Sequence, residues 1–346
     1  MQPNQVYTAN FAPIPGFTGS YLGLISGTAP GLESTGFISI SINKLDHVSG
    51  TITLDNVKYH VAGTFTGTNA TSLTVTRKNL APLVIVLNLG VAGGYANLSG
   101  SVTDGISTRT VAAYLSPVRN KTNPSPFAGR YTVALYSSTG SSTVPAGNGY
   151  GTMTVSKAGV GSIAFSLPDG TAITQSAAIG ANGFPLFVPH YSGKGVVTGF
   201  LGFSIAGAPS VAVVGGTLNW IKPATAKNTP YPAAFDAALT VAGSAYTHGL
   251  GLSGTAGDLT FANGNLTAPI IQPFTLSATH AVVLSSTNPQ AVKYTLNGAN
   301  GVFSGKFDDG TKKQVYHGVI LQEQDSGAGD FLNSAGSGSV TLTVSP

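Results

Sequence analysis

Ile38-Ser39-Ile40-Ser41-Ile42-Asn43 alternates apolar and small polar residues without a break. A strand sends successive side chains to opposite faces, so this hexapeptide reads as a half-buried strand, three isoleucines toward a core and a polar face toward water. The same period of two returns along the chain. Leu73 and Val75 alternate with Thr74 and Thr76, Met153 and Val155 with Thr152 and Thr154, and Val340, Leu342 and Val344 with Thr341 and Thr343. No window of a dozen residues carries helical spacing. Between the runs stand Asp104-Gly105, Asp169-Gly170, Asn182-Gly183, Asn263-Gly264, Asn297-Gly298 and Asp309-Gly310, each able to supply the positive φ of a tight hairpin. The pattern predicts an all-β chain of antiparallel meanders.

Composition agrees. Of 346 residues 46 are Gly and none is Cys, and 8% are charged, against roughly 25% in an average soluble domain. Solvated helix faces are normally built from Glu, Lys, Arg and Gln, and the only glutamates are Glu33 and Glu323. Helical and α/β enzymes are thereby disfavoured. The formal charge of +4 is scattered, with no Lys or Arg run longer than two, which excludes a nucleic-acid footprint. The absence of Cys excludes disulfides and thiolate sites, and no run of 18 apolar residues marks a transmembrane segment. Met1 to Asn4 lack the basic start of a signal peptide, so the chain reads as a mature one with an added Met or as a cytosolic protein, and composition favours the first, in an extracellular or cell-surface setting.

The first two thirds repeat. Gly19-Ser-Tyr21-Leu-Gly-Leu-Ile25 matches Gly129-Arg-Tyr131-Thr-Val-Ala-Leu135, and Ile40-Ser-Ile42-Asn-Lys44 matches Met153-Thr-Val155-Ser-Lys157. A weaker echo joins Leu98-Ser-Gly100-Ser-Val102-Thr-Asp104-Gly105 to Phe303-Ser-Gly305-Lys-Phe307-Asp-Asp309-Gly310. The first module counts to about eight strands, which suit a small barrel filled by side chains or a sandwich. Closure is preferred, because so few charges are present to blunt exposed edges. Proline-rich stretches from Ser116 to Pro126 and from Lys222 to Pro232 mark boundaries. The expected organisation is an extended segment 1–16, a first barrel 17–117, a linker 118–127, a second module 128–223, and a third β region 224–346, separate or packed with the second as one domain. Pro13 and Pro15 forbid a helix in the first segment. Residues 2–15 span at most about 45 to 50 Å, and read as a strand that closes its own sheet or pairs with a neighbouring copy.

Ser49-Gly50-Thr-Ile-Thr-Leu54, Gly149-Tyr150-Gly151-Thr-Met-Thr-Val155, Tyr191-Ser-Gly-Lys-Gly195, Leu218-Asn-Trp220-Ile-Lys-Pro223 and Gly318-Val-Ile-Leu-Gln322 form an ordered set. That set resembles β-rich modules of large secreted proteins of Verrucomicrobia and related bacteria, over nearly the whole chain from Gly16. The resemblance implies a surface context and no particular activity.

Residues that could carry chemistry are few. The six His show neither an HExxH motif nor an i, i+2 pair, so a zinc site has no local signature. No G-x-S-x-G elbow occurs, and Asp55, Asp104, Asp169 and Asp309 read as turn residues. Glu323, Asp325 and Asp330, in Glu-Gln-Asp-Ser-Gly-Ala-Gly-Asp, are the one calcium candidate, if their loop gathers the three carboxylates; otherwise no cofactor is expected. Trp220 and Tyr231 read as an aromatic plug at a barrel end that anchors the proline-rich stretch, or as a sugar-stacking platform. The reading is a non-enzymatic structural or adhesive protein that partners copies of itself by strand pairing. A module binding surface carbohydrate or a small ligand in a barrel mouth is the alternative, and a secreted hydrolase the third.

Overall fold

The computed structural model describes residues 16–28, 31–66, 69–137, 143–206, 211–225 and 230–345. The segment read as a free strand falls, but for Gly16, outside them. The described residues form three eight-stranded antiparallel sheets, each rolled into a nearly closed barrel. Barrel 1 comprises β1 (Gly19–Ser26), β2 (Thr35–Ile42), β3 (His47–Leu54), β4 (Val57–Thr64), β5 (Ala70–Arg77), β6 (Leu80–Ala92), β7 (Tyr95–Thr103) and β8 (Thr108–Leu115). Barrel 2 comprises β9 (Gly129–Ser137), β10 (Asn148–Val155), β11 (Val160–Ser166), β12 (Ala172–Ala178), β13 (Phe184–His190), β14 (Gly195–Ala206), β15 (Val211–Lys222) and β16 (Phe235–Ala245). Barrel 3 comprises β17 (Ala256–Asn263), β18 (Ile270–Leu276), β19 (Val282–Leu284), β20 (Lys293–Asn297), β21 (Val302–Asp308), β22 (Lys313–Leu321), β23 (Ser326–Asn333) and β24 (Gly336–Ser345).

Each barrel is an up-and-down meander whose first strand pairs with its eighth. Ile38, Ile40 and Ile42 point inward and are buried with Tyr21, Ile52, Leu83, Ile85 and Leu87, so the interior is packed with side chains. The repeat holds to the residue: Gly19 pairs with Ile42, and Gly129 with Val155. The hydroxyls of Tyr21 and Tyr131 each donate to a carbonyl four residues back, Phe17 O at 2.8 Å and Phe127 O at 2.6 Å.

The remaining seam of each barrel is closed differently. In barrel 1 it lies between β4 and β5, tied at the Thr66–Ala70 bridge and by Thr71 Oγ1 donating to Thr64 O. In barrel 2 it lies between β12 and β13, where Gln175 takes the place of a peptide group. Its Nε2 donates to Pro185 O at 2.8 Å and its Oε1 accepts from Phe187 N at 2.7 Å. In barrel 3 the seam moves one strand earlier, between β19 and β20. Buried Gln272 of β18 donates to the carbonyls of Pro273, Ser285 and Thr287, which ties β18 to the chain leaving β19 and does not cross to β20.

The sequence placed a boundary at 223/224. The second sheet instead runs past it: β16 pairs with both β15 and β9 and closes barrel 2. The proline-rich stretch is thus the connection between the seventh and eighth strands of one sheet. Its prolines stop the ladder, and the packing of Tyr231 and Lys222 holds it down.

The barrels stand side by side with their odd-numbered strands in one sense. The turn at Asn56, after β3, lies against Gly193, after β13, and a methyl placed on Gly170, after β11, would sit 3.1 Å from Leu332 of β23. The molecule therefore has an upper side, formed by the turns after odd-numbered strands, and a lower side that carries the connections between barrels.

Candidate functional site

Strands that depart from strict alternation show where barrels 2 and 3 meet. Tyr131 to Leu135 and Gly318 to Leu321 are buried on both faces. Inward residues fill the barrels, while Ala134, Val319, Leu321 and Ala328 form a separate cluster between the walls with Tyr136 and Tyr150. Small residues permit the approach: a Cβ on Gly147 would lie 2.1 Å from Ser337 Oγ and 2.9 Å from Asp330 Cβ.

Above this wall contact the upper end of barrel 2 holds a buried polar cluster. Trp220 Nε1 donates to Tyr191 Oη at 2.9 Å, and the Tyr191 hydroxyl donates to Asp169 Oδ2 at 2.9 Å. Burial, aided by the Asp169 charge, pushes the Tyr191 pKa far up. Lys222 is only 4% exposed. Its ammonium donates to Tyr231 O at 2.6 Å and lies 5.5 Å from the Tyr191 ring centre and 5.8 Å from that of Phe235. Desolvation lowers its pKa, and the Asp169 charge opposes that shift. The Tyr231 hydroxyl accepts from Ser337 N at 2.6 Å, and Ser337 Oγ accepts from Gly147 N at 3.0 Å. Trp220 and Tyr231 are thus a plug and an anchor. Both are buried, so neither serves as a platform for a sugar.

Asp330 is 6% exposed and sits opposite His317 on β22 and Ser339 on β24, facing barrel 2. Burial drives its pKa well above the carboxylate range, with a further push from the Asp169 charge. Tyr150, stacked on His317 with ring centres 6.1 Å apart, is raised to about 12 by burial first and by Asp330 second. Burial lowers the pKa of His317.

The calcium candidates do not converge. Glu323 lies in a 3₁₀ turn (Gln322–Gln324) and its backbone N donates to Ser244 Oγ. Asp325 adopts φ 44° and accepts from Ser253 N at 2.6 Å. Asp330 is five residues further on, about 16 Å at strand spacing. The expected flexible loop is instead strand β23, because Gly327, Ala328 and Gly329 pair with β22 and β24 beneath barrel 2. Among the described residues no three His, Asp or Glu side chains are grouped to hold a metal ion.

Two of the turn aspartates share one design. Asp104 Oδ1 accepts from the backbone N–H of Ile106 and Ser107, and Oδ2 pairs with Arg109 at 3.2 Å. Asp309 Oδ1 accepts from Thr311 and Lys312, and Oδ2 from the Gln314 amide. Both carboxyls are held below their usual range by these bonds. The echo seen in the sequence is therefore a common hairpin, the seventh and eighth strands in barrel 1 and the fifth and sixth in barrel 3.

Open space lies outside the filled barrels. Clefts of about 380, 520 and 450 Å³ separate barrels 1 and 2, and one of about 1060 Å³ opens among the upper loops of barrel 3. In the sequence Tyr191 and Lys222 stand only in motifs of the resemblance and at the start of a proline-rich boundary, with no sign of the buried cluster they join. The doubly buried runs were the available signal, since a half-exposed strand would have kept its alternation.

No protein-family model and no curated protein matches the chain. Among solved structures, a mutant of the vaccine antigen Transferrin Binding Protein B from Haemophilus parasuis is similar over 94% of this chain and 75% of its own, at 10% identity and a TM-score of 0.23. No helix of the described residues is long and apolar enough to cross a membrane.

Proposed function

We propose that this chain is a non-enzymatic extracellular structural or adhesive protein, a stiff three-barrel subunit of a bacterial cell-surface assembly. The observation that carries this reading is the use of its interior. All three barrels are filled with side chains, and the buried charged group Lys222 fastens a loop. The Ser, Thr, Asn and Gly surface offers little like-charge repulsion between copies. The seam of barrel 1 is the seat proposed for a neighbour's strand: the amide of Gln175 stitches the seam of barrel 2, whereas the ties of barrel 1 are the Thr66–Ala70 bridge and the Thr71 hydroxyl at one end. Strand addition of this kind is heterologous and propagates head to tail.

The test compares the full chain with one lacking residues 2–15, by light scattering and electron microscopy over a concentration series. Polymers from the full chain and folded monomers from the truncated chain are expected. A full chain that stays monomeric at high concentration, or a truncated chain that assembles as the full one does, overturns the proposal.

A further inference from the structure

The smallest of the clefts between barrels 1 and 2 is the most elaborately built. It lies on the lower side, where residues 116–128 cross from β8 to β9, and its volume of about 380 Å³ falls within the 300 to 1,000 Å³ of small-molecule sites. Phe127 and Phe203 line it, stacked with ring centres 5.0 Å apart. Tyr95 stands at its edge, 57% exposed, directly after the Gly93-Gly94 turn. The hairpin between β12 and β13 is closed by reciprocal Gly180 and Gly183 backbone bonds of 2.9 and 3.0 Å and presents Asn182 at its tip. Arg119 packs its stem near Gly159, where a Cβ would come within 3.2 Å of its Cγ, and donates from Nη1 to Asn123 Oδ1. Among the described residues the Tyr95 hydroxyl, the Asn182 carboxamide and the other guanidinium N–H groups of Arg119 have no hydrogen-bond partner. They stand around an aromatic surface, open to a ligand.

That combination selects a ligand class. An apolar molecule would cover Asn182 and Arg119 without pairing them, which is costly, and a small inorganic anion would leave the rings unused. A pyranose offers both an apolar C–H face for aromatic rings and a rim of hydroxyls for planar amides. The local charge adds a further preference. Lys44, Arg119, Lys121, Arg130 and Lys157 lie at the lower ends of barrels 1 and 2, and Asp46 is the sole acid described there. A guanidinium binds a carboxylate through two parallel N–H groups. We infer that this cleft binds a carboxylated saccharide, with a sugar ring against Tyr95 and its carboxylate on Arg119.

The experiment is calorimetric titration of the full chain with trigalacturonate, with neutral cellotriose as the comparison, at two salt concentrations. Trigalacturonate should bind, more weakly at high salt, and Tyr95→Ala and Arg119→Gln should each weaken it about tenfold without changing the melting temperature. Asn182→Ala supplies a third variant on an exposed hairpin tip. Silence at millimolar trigalacturonate, equal binding of cellotriose, or affinity indifferent to all three substitutions overturns the inference. The oligomeric state is read separately, so failure here leaves the assembly reading intact.

Discussion

Barrel 2 meets its two neighbours in different ways. Toward barrel 1 the contact is made by large apolar side chains, Leu24 and Phe37 against Phe187, Val196 and Phe200, and clefts remain between them. Toward barrel 3 small residues such as Ala134, Gly147 and Ala328 let the walls close around Val319, Leu321, Tyr136 and Tyr150, and polar side chains such as Ser337, Tyr231 and Asp330 are buried above it. Knobs that touch across a gap leave room for a ligand. Flat walls at close range leave room for a lock. The same barrel thus uses one wall as a joint with crevices and another as a weld.

This contrast can be broken at four places. The largest effect is expected from Phe187→Ala, which removes the ring stacked on Phe37 at 6.3 Å and should cost about 3 kcal/mol in chemical denaturation. Gly147→Ala comes next. Its Cβ would collide with Ser337 Oγ and displace the bond from Gly147 N, for an expected loss of about 2 kcal/mol. A smaller, pH-dependent effect belongs to Asp330. Its folded pKa lies above the ordinary 3.8, so the folded chain keeps a proton that the unfolded chain releases, and stability falls as pH rises from that value toward the folded pKa. Asp330→Asn should flatten this slope in melting curves taken across pH. Asp104 and Asp309 act with the opposite sign, because their folded pKa values are depressed. Their contribution is present above the ordinary value and is lost as pH falls below it. The smallest effect is expected at Gly180, where a Cβ would meet Tyr114 Cβ at 3.3 Å. Gly180→Ala should shift stability by under about 0.5 kcal/mol. If Gly147→Ala were equally mild, the distinction between joint and weld would fail.

The barrels were legible because half-buried antiparallel strands write their burial directly into the sequence. Ile38 to Ile42 alternate because water lies on one side, and Asp104-Gly105 marks a hairpin because its carboxylate caps the turn locally. What was lost depends on partners far along the chain. Tyr231 looks like part of a linker until Ser337, 106 residues away, donates to its hydroxyl. Asp330 sits among Gly, Ala and Ser and reads as a loop acid, since nothing near it in sequence announces that barrel 2 will cover it. Glu323 and Asp325 do lie in a turn, but a strand carries the third carboxylate away from them.

Gln175 means that the second cylinder is fastened along its open line by a side chain rather than by a ladder of peptide groups. Such a fastener lets go when one rotamer flips, without dismantling either flanking strand. The first cylinder is tied near one corner of its slit, where β4 turns into β5. In amide hydrogen exchange, β4 and β5 should lose protection ahead of β12 and β13, whose facing edges Gln175 bridges, and that order of breathing would make the first barrel more receptive than the second.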